Sequence, residues 1–373
     1  MTVTTTAAVM AGTFVVGTPA LVSAAGQCPI TVSEQGSTTV GPALVAAQSG
    51  FQSSQGCSLD IVQNGSGTGL TALLAGSVNI AASSRPLKDG TEKTNLFAWQ
   101  VGGDAMVIAV NKNLGLSNIK MDEVKGIYNG TITNWNQIAG SSISGTIVPR
   151  SRITGSGSRD DMGRLFGIDL VTAEPATITA TGLALLTTSN DEADAACNNA
   201  NQIVYTSLAN LLTFGPSGSN CLKALNLAAG STTSYVAPSV QTVQNASYPA
   251  PRQLFLAVRK FSVIGGAATT DTSANVKAYD LVNYMLTSAG QGAVNQVGFV
   301  NQPIPAAQPI PDADINLDGA IGLADIGNIT GRWSQTSNCK GWVRADANND
   351  GAVGLADIGK ITAKWGGAGF VAP

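Results

Sequence analysis

The chain has 373 residues, of which 44% are hydrophobic and only 12% charged, with a formal net charge of −3. That apolar content is enough for a sizeable core and excludes global disorder, while the charge balance supplies no basic field for nucleic acid or acidic membranes. Histidine is absent, which removes Ser-His-Asp and Cys-His catalysis, His-ligated zinc and the commonest general base.

Residues 7–22 (AAVMAGTFVVGTPALV) form an uncharged apolar stretch followed by Ser23-Ala24-Ala25-Gly26. This reads as the apolar core and cleavage site of a secretory signal over residues 1–26, although no positively charged segment precedes it. No later stretch is long and apolar enough to span a bilayer, so no stable membrane insertion is expected. The expected location is secreted, extracellular, cell-surface associated or periplasmic. Five cysteines suit an oxidising compartment. Cys28 and Cys57 each precede a strand-like run, and Cys197 and Cys221 bracket one segment, so both pairings are open and Cys339 is left over.

From Cys28 to about Val300, short apolar strands alternate with amphipathic stretches of helical length, as in SLDIVQ, TGLTALLAG, VNIAASS and DAMVIAVN. The alternation predicts an α/β architecture with largely parallel sheets. Four turns stand out: Gly36-Ser37-Thr38-Thr39, the Asn64–Gly69 segment NGSGTG, Ser83-Ser84-Arg85-Pro86, and the Arg152–Ser158 segment RITGSGS. Each places hydroxyls and glycine-freed backbone N–H groups at a strand-to-helix turn, where a helix N-terminus favours an anion. One such turn is usually only a helix cap, and no Gly-Lys-Ser/Thr follows to make a P-loop. Four in one domain, with a well-placed arginine, point to an oxyanion site. Hydrolysis through Ser66 or Ser156 lacks a base, so the chain is not expected to be an enzyme.

The order and wording of these segments resemble the periplasmic phosphate-binding proteins of ABC importers. The resemblance runs through GSTTVGPAL, NGSGTGLTALLAGSVNIAASSRPL, DAMVIAVNKN, IYNGTITNW, YPAPRQLFLAV and AGQGAVNQVGFV, over about residues 29–301. It implies a two-lobed, type II periplasmic-binding-protein fold with hinge strands and inorganic phosphate held in the cleft. Lobe 1 is expected at about 28–106 and 258–302, lobe 2 at about 112–252, with crossings near Val107–Asn111 and Gln253–Val258. By resemblance, Ser37, Thr38, Thr39, Ser66 and Ser84 contact phosphate from one lobe, and Arg152, Ser156, Gly157 and Ser158 from the other. Well-known relatives carry aspartate where Ser84 stands, accepting the proton of hydrogen phosphate, so Asp104 is the expected substitute acceptor. Arg85, Arg150 and Arg159 read as structural.

Residues 303–311 (PIPAAQPIP) read as a semi-rigid spacer. Beyond them DADINLDGAIGLADIGNITGRW recurs as RADANNDGAVGLADIGKITAKW. The first repeat offers Asp314, Asn316, Asp318, the Ala320 carbonyl and Asp325, the second Asp346, Asn348, Asp350, the Ala352 carbonyl and Asp357. Oxygen donors at alternate loop positions, with glycine after the third, suit a hard cation, and two copies call for two calcium ions. Each loop runs into a single helix and ends in aspartate rather than glutamate. Residues 312–367 therefore resemble the dockerin family, which implies a small all-α calcium-dependent domain and a cohesin-like partner or self-association. Trp333 and Trp365 are expected to pack against the opposite repeat. A competing reading makes the two lobes a scaffold within an extracellular surface assembly or filament.

Overall fold

The computed structural model describes residues 30–170, 175–214, 221–260, 273–339 and 341–373. The expected signal segment and Cys28 lie outside them. The first half runs β1 (Thr31–Gly36), α1 (Gly41–Gln55), β2 (Ser58–Gln63), α2 (Ser66–Leu74), β3 (Ile80–Ser83), α3 (Thr91–Asn95), β4 (Leu96–Asn111), β5 (Asn118–Lys120), α4 (Met121–Asn129), β6 (Val148–Pro149) and α5 (Gly157–Phe166). It continues with α6 (Ala176–Thr179), α7 (Ser189–Asn198), β7 (Gln202–Ser207), α8 (Leu208–Phe214), β8 (Leu222–Ala224), β9 (Asn226–Ala228), α9 (Val240–Gln244), β10 (Pro251–Arg259), α10 (Ser273–Met285) and α11 (Ser288–Gln296). The carboxy-terminal repeats add α12 (Leu323–Thr330) and α13 (Leu355–Ala363).

The main sheet has the order β2-β1-β3-β10-β4-β7-β6, with β8 also on β4. β1, β2 and β3 are parallel, as the β-α alternation predicts, whereas β10 is antiparallel to both β3 and β4, and β7 is antiparallel to β4. The long strand β4 makes the architecture two-lobed. Its first part, up to Ala105, pairs with β10, and from Met106 onward it pairs with β7. The chain returns beside the same point, where the Met106 N–H donates to the Ala250 carbonyl before Pro251 pairs with Ala105. Both crossings thus fall a few residues before the expected Val107–Asn111 and Gln253–Val258, which already belong to the lobe sheets.

Each lobe buries its own apolar cluster. Val32, Leu44, Phe51, Ile80, Trp99, Leu256 and Tyr279 belong to the first, and Ile108, Ile127, Trp135, Met162, Ile203 and Leu227 to the second. Local signals agree with these elements: α1 carries proline in its first turn and stops at Gly56, which takes the left-handed conformation (φ 65°). No helix among the described residues is long and apolar enough to cross a membrane.

The carboxy-terminal unit has a small core of its own, including Ile315, Ile321, Ile329, Val353 and Ile361. It also leans on the first lobe. Ile310, Cys339, Leu317, Trp342 and Phe370 join that lobe's cluster, and the Phe370 ring sits 5.2 Å from Phe97 and 6.0 Å from Trp99. Asn283 Nδ2 donates to the Ile310 carbonyl and the Val371 N–H to Pro309. The proline-rich segment therefore packs against the lobe instead of standing off from it, because Ile310 is an apolar side chain with a core beside it. Trp333 and Trp365 also depart from expectation. They lie past the ends of α12 and α13 and are 48% and 54% exposed, since Ile329 and Ile361 already fill the space between the helices.

Cys197 and Cys221 form a disulfide, one of the two expected pairings. The other is corrected: Cys57 is a free, buried thiol and Cys339 is disulfide-bonded.

One buried acid in β1 sets a pH dependence. Glu34 is 1% exposed, accepts the Ala82 N–H through Oε1, and leaves Oε2 without a hydrogen-bond partner. Burial pushes its carboxyl from the ordinary 4.5 up to about 8. A folded-state pKa raised in this way adds stability that is full below the unfolded value and lost as pH rises through the folded one. Wild type should therefore lose stability relative to Glu34→Gln between pH 4.5 and about 8. Urea unfolding at a series of pH values measures this, and a constant difference across that window contradicts the assignment.

Candidate functional site

The four hydroxyl-rich turns meet where the lobes face each other. Thr38 and Thr39 precede α1, Ser66 opens α2, and Ser84 follows β3. Arg152 and the start of α5 approach from the second lobe. Thr39, Ser66, Ser84, Arg152, Ser156 and Ser158 are all under 5% exposed. Contacts across the cleft are direct. The Gly67 N–H donates to the Gly155 carbonyl at 2.8 Å, Thr39 Oγ1 lies 3.4 Å from Ser158 Oγ, and Arg152 Nη2 donates to Thr38 Oγ1 at 3.2 Å. Within the first lobe, Ser66 Oγ accepts the Ser84 N–H and lies 3.3 Å from Ser84 Oγ. Gly157 must be glycine here, since a Cβ at that position would collide with both hydroxyls.

Ser37 has a different duty from its neighbours. Its Oγ accepts the N–H groups of Thr39 and Val40, so it shapes the turn into α1. Ser156 caps α5 in the same manner, accepting from the Arg159 N–H. The starts of α1, α2 and α5 converge, and the partial positive charge of each helix N-terminus favours an anion between them.

Two buried arginines complete the electrostatics. Arg152 is held by Glu192, with Nη1 to Oε1 at 2.6 Å, and donates further to the carbonyls of Leu186 and Thr187. Arg252, which sequence reasoning missed, projects from β10 with its Nε 2.6 Å from Asp104 Oδ2 and its Nη1 donating to Ser158 Oγ at 2.9 Å. Its Nη2 is buried in the ion pair without an aligned acceptor. Asp104 is thereby corrected from a spare proton acceptor to the counter-ion of Arg252, its other oxygen accepting the Leu208 N–H. Burial raises the pKa of Glu192, against the pull of Arg152. The remaining arginines are structural: Arg85 forks onto Glu92, Arg150 donates to Gln202 and Ala184, and Arg159 to the carbonyls of Arg152 and Leu170.

A signal for Arg252 does exist in the sequence. In PRQLFLAV it shares the strand face of Leu254, Leu256 and Val258, all buried. A charge on an inward face at a lobe junction needs a purpose. Glu192 similarly occupies the α7 face that carries Ala195 and Ala196.

The carboxy-terminal loops form a second candidate site. Leu317 and Asn349 take left-handed backbone (φ 55° and 59°), as do Gly319 and Gly351, so the two loops share one fold. Asp314 and Asp325 of the first, and Asp346 and Asp357 of the second, are buried. Their oxygens accept loop N–H groups, for instance Asp325 from Ile315 and Gly322, and Asp357 from Asn348 and Gly354. Burial raises the pKa of Asp314 and Asp346, and the facing Asp325 and Asp357 add to it. Arg344 donates to carbonyls of this unit rather than to those carboxylates. Buried like charges of this kind, all oxygen donors, fit a hard cation. Among the described residues no three acidic, histidine or cysteine side chains form a ready-made metal cluster.

Two lobes joined by paired crossing strands enclose a polar, arginine-bearing cleft. A family profile described as a PBP superfamily domain matches residues 20–304, and the chain belongs to that superfamily. Among curated relatives, the phosphate-binding protein PstS of Bacillus subtilis is 32% identical over 32% of this chain, but only 41% of its own length is matched. PstS of Borreliella burgdorferi is 25% identical over 72% of this chain and 89% of its own. Among solved structures, an ABC transporter substrate-binding protein from Clostridium perfringens with bound phosphate superposes with a TM-score of 0.58 at 26% identity, covering 73% of this chain and 99% of that one.

If Asp104 is the counter-ion of Arg252, Asp104→Asn strands a buried guanidinium. Folding stability should fall by about 3–5 kcal/mol. Chemical denaturation checks this, and a loss within error of zero removes the counter-ion role.

Proposed function

We propose that the chain captures inorganic phosphate outside the cell in the cleft between its lobes, and hands it to an ABC importer. The arrangement of Arg152 and Arg252 carries this reading: two buried guanidiniums, Arg152 beside hydroxyls of both lobes (Thr38 and Ser189) and Arg252 beside that of Ser158, at the convergence of three helix starts. Arginine suits the task because its planar fork binds oxyanions bidentately and stays charged. The relatives named for phosphate binding support the choice of anion.

With Asp104 engaged by Arg252, the proton of hydrogen phosphate falls to a hydroxyl oxygen, such as that of Ser66 or Ser84. Sulfate has no proton to give, so a hydroxyl facing it can only donate, and the extra bond that the phosphate proton makes should let phosphate bind more tightly. Calorimetry on anion-free protein tests this. Equal affinity for the two anions would sink the phosphate assignment and leave a general oxyanion binder. Arg152→Ala should cost at least about 2 kcal/mol of phosphate binding, and Ser84→Ala about 1 kcal/mol, because one loses a charge-assisted fork and the other a neutral hydrogen bond.

In the same reading the carboxy-terminal unit is a dockerin-like attachment module holding two calcium ions. Asp314, Asn316, Asp318, the Ala320 carbonyl and Asp325 would hold one ion, with the matching residues of the second loop holding the other. Leu323 and Leu355 start the two helices and are 74% and 75% exposed, so two alike apolar surfaces face outward for a cohesin-like partner. Calcium that binds only the folded state stabilises it by mass action. Thermal unfolding of the full chain should therefore move upward when chelator is replaced by calcium; identical curves count against the metal.

A further inference from the structure

Besides the backbone bond from Gly67 to Gly155, the side-chain bonds across the cleft are of two kinds. Those from Arg152 to Thr38 and from Ser158 to Thr39 use atoms that an oxyanion would claim, so ligand binding replaces them. A second set lies just behind. Asp160, in the first turn of α5, has Oδ2 2.9 Å from Arg85 Nε and 2.7 Å from Lys88 Nζ, both on the opposite lobe. Arg85 and Asp160 side chains are 5% and 11% exposed, and Arg85 keeps its two bonds to Glu92, at 2.8 and 2.9 Å, on its own lobe. Arg85 directly follows Ser84, and Asp160 is two residues past Ser158. Any rotation that parts the hydroxyl turns must also part these ions.

We propose that Asp160 is a positioning residue: a latch, gripped by Arg85 and Lys88, that keeps the cleft shut independently of the anion and so sets how slowly the anion leaves. The proposal rests on the reading of the cleft as a phosphate site. Arg85 is neutralised by Glu92 in the open state as well, so opening strands no bare guanidinium, and the latch can release and re-form. Because the pair is largely buried, salt screens it weakly.

The test is Asp160→Asn in the full chain, which leaves Arg85 paired with Glu92. Rapid-mixing measurements with inorganic phosphate should show release roughly tenfold faster, and association faster as well, because more of the phosphate-free protein stands open. Simple Coulomb attraction predicts the reverse, since removing a negative charge near an anion tightens binding. X-ray scattering of the phosphate-free variant should give a larger radius of gyration than wild type. Lys88→Gln, which removes the half-exposed partner alone, should speed release in the same direction by less. Unchanged or slower release from Asp160→Asn, or phosphate-free scattering identical to wild type, overturns the latch. If wild type binds no phosphate, the cleft reading fails, and the scattering comparison still decides the latch.

Discussion

Placing positive charge between two lobes without water to solvate it is the constraint from which the rest of the site follows. An isolated guanidinium cannot be buried without a counter-charge. Arg152 takes Glu192 and Arg252 takes Asp104, and each carboxylate is fixed from behind by further donors: Asn210 Nδ2 to Glu192, the Leu208 N–H to Asp104. The pairs keep the arginines in place and charged while their outer nitrogens face hydroxyls. The cost is selectivity. The described cleft carboxylates Asp104 and Glu192 are counter-ions rather than receivers of a ligand proton, so in the proposed reading discrimination between oxyanions rests on hydroxyl geometry.

The same constraint bears on motion. Arg252 and Asp104 stand at the crossing of β10 and β4, where the strands change sheets, while Ser158, which Arg252 holds, starts the helix facing the opposite lobe. The charge pair therefore ties the hinge to the binding turn. Two-lobed binders close because ligand bridges both sides. Here one hydrogen bond, from Arg252 to Ser158, joins the hinge pair to the binding turn.

Much of this was legible in the sequence. The strand-helix alternation gave the α/β class, the four Gly/Ser/Thr turns gave the cleft, and Cys197 with Cys221 gave a disulfide. Those signals are local, because turns and caps are set by a few neighbouring residues. What failed was non-local. Asp104 looked free because its partner stands far along the chain, and Arg252 was hidden at the start of a mostly apolar strand. Cys57 sat beside a strand as a partner should, yet pairing depends on what lies across from it in space. The exposure of Trp333 and Trp365 was misread for a related reason: composition favours burying indoles, but two isoleucines already occupy the gap between the helices.

The placement of the carboxy-terminal unit bears on whether the proposed attachment and the proposed capture would interfere. Its anchors are Phe97 and Trp99 of β4 and Asn283 of α10, all on the first lobe. Phe370 secures it twice, resting its ring against both of those aromatics while its N–H donates to Asp314 of the first loop. A unit fixed in this way adds mass to one lobe only. Among the described residues the anchors named here leave the second lobe, carrying Arg152 and α5, untouched, so its movement on the crossing strands would not disturb them. A partner gripping the exposed ends of α12 and α13 would hold the first lobe still, so closure becomes movement of the second lobe toward a stationary half, and tethering need not oppose capture.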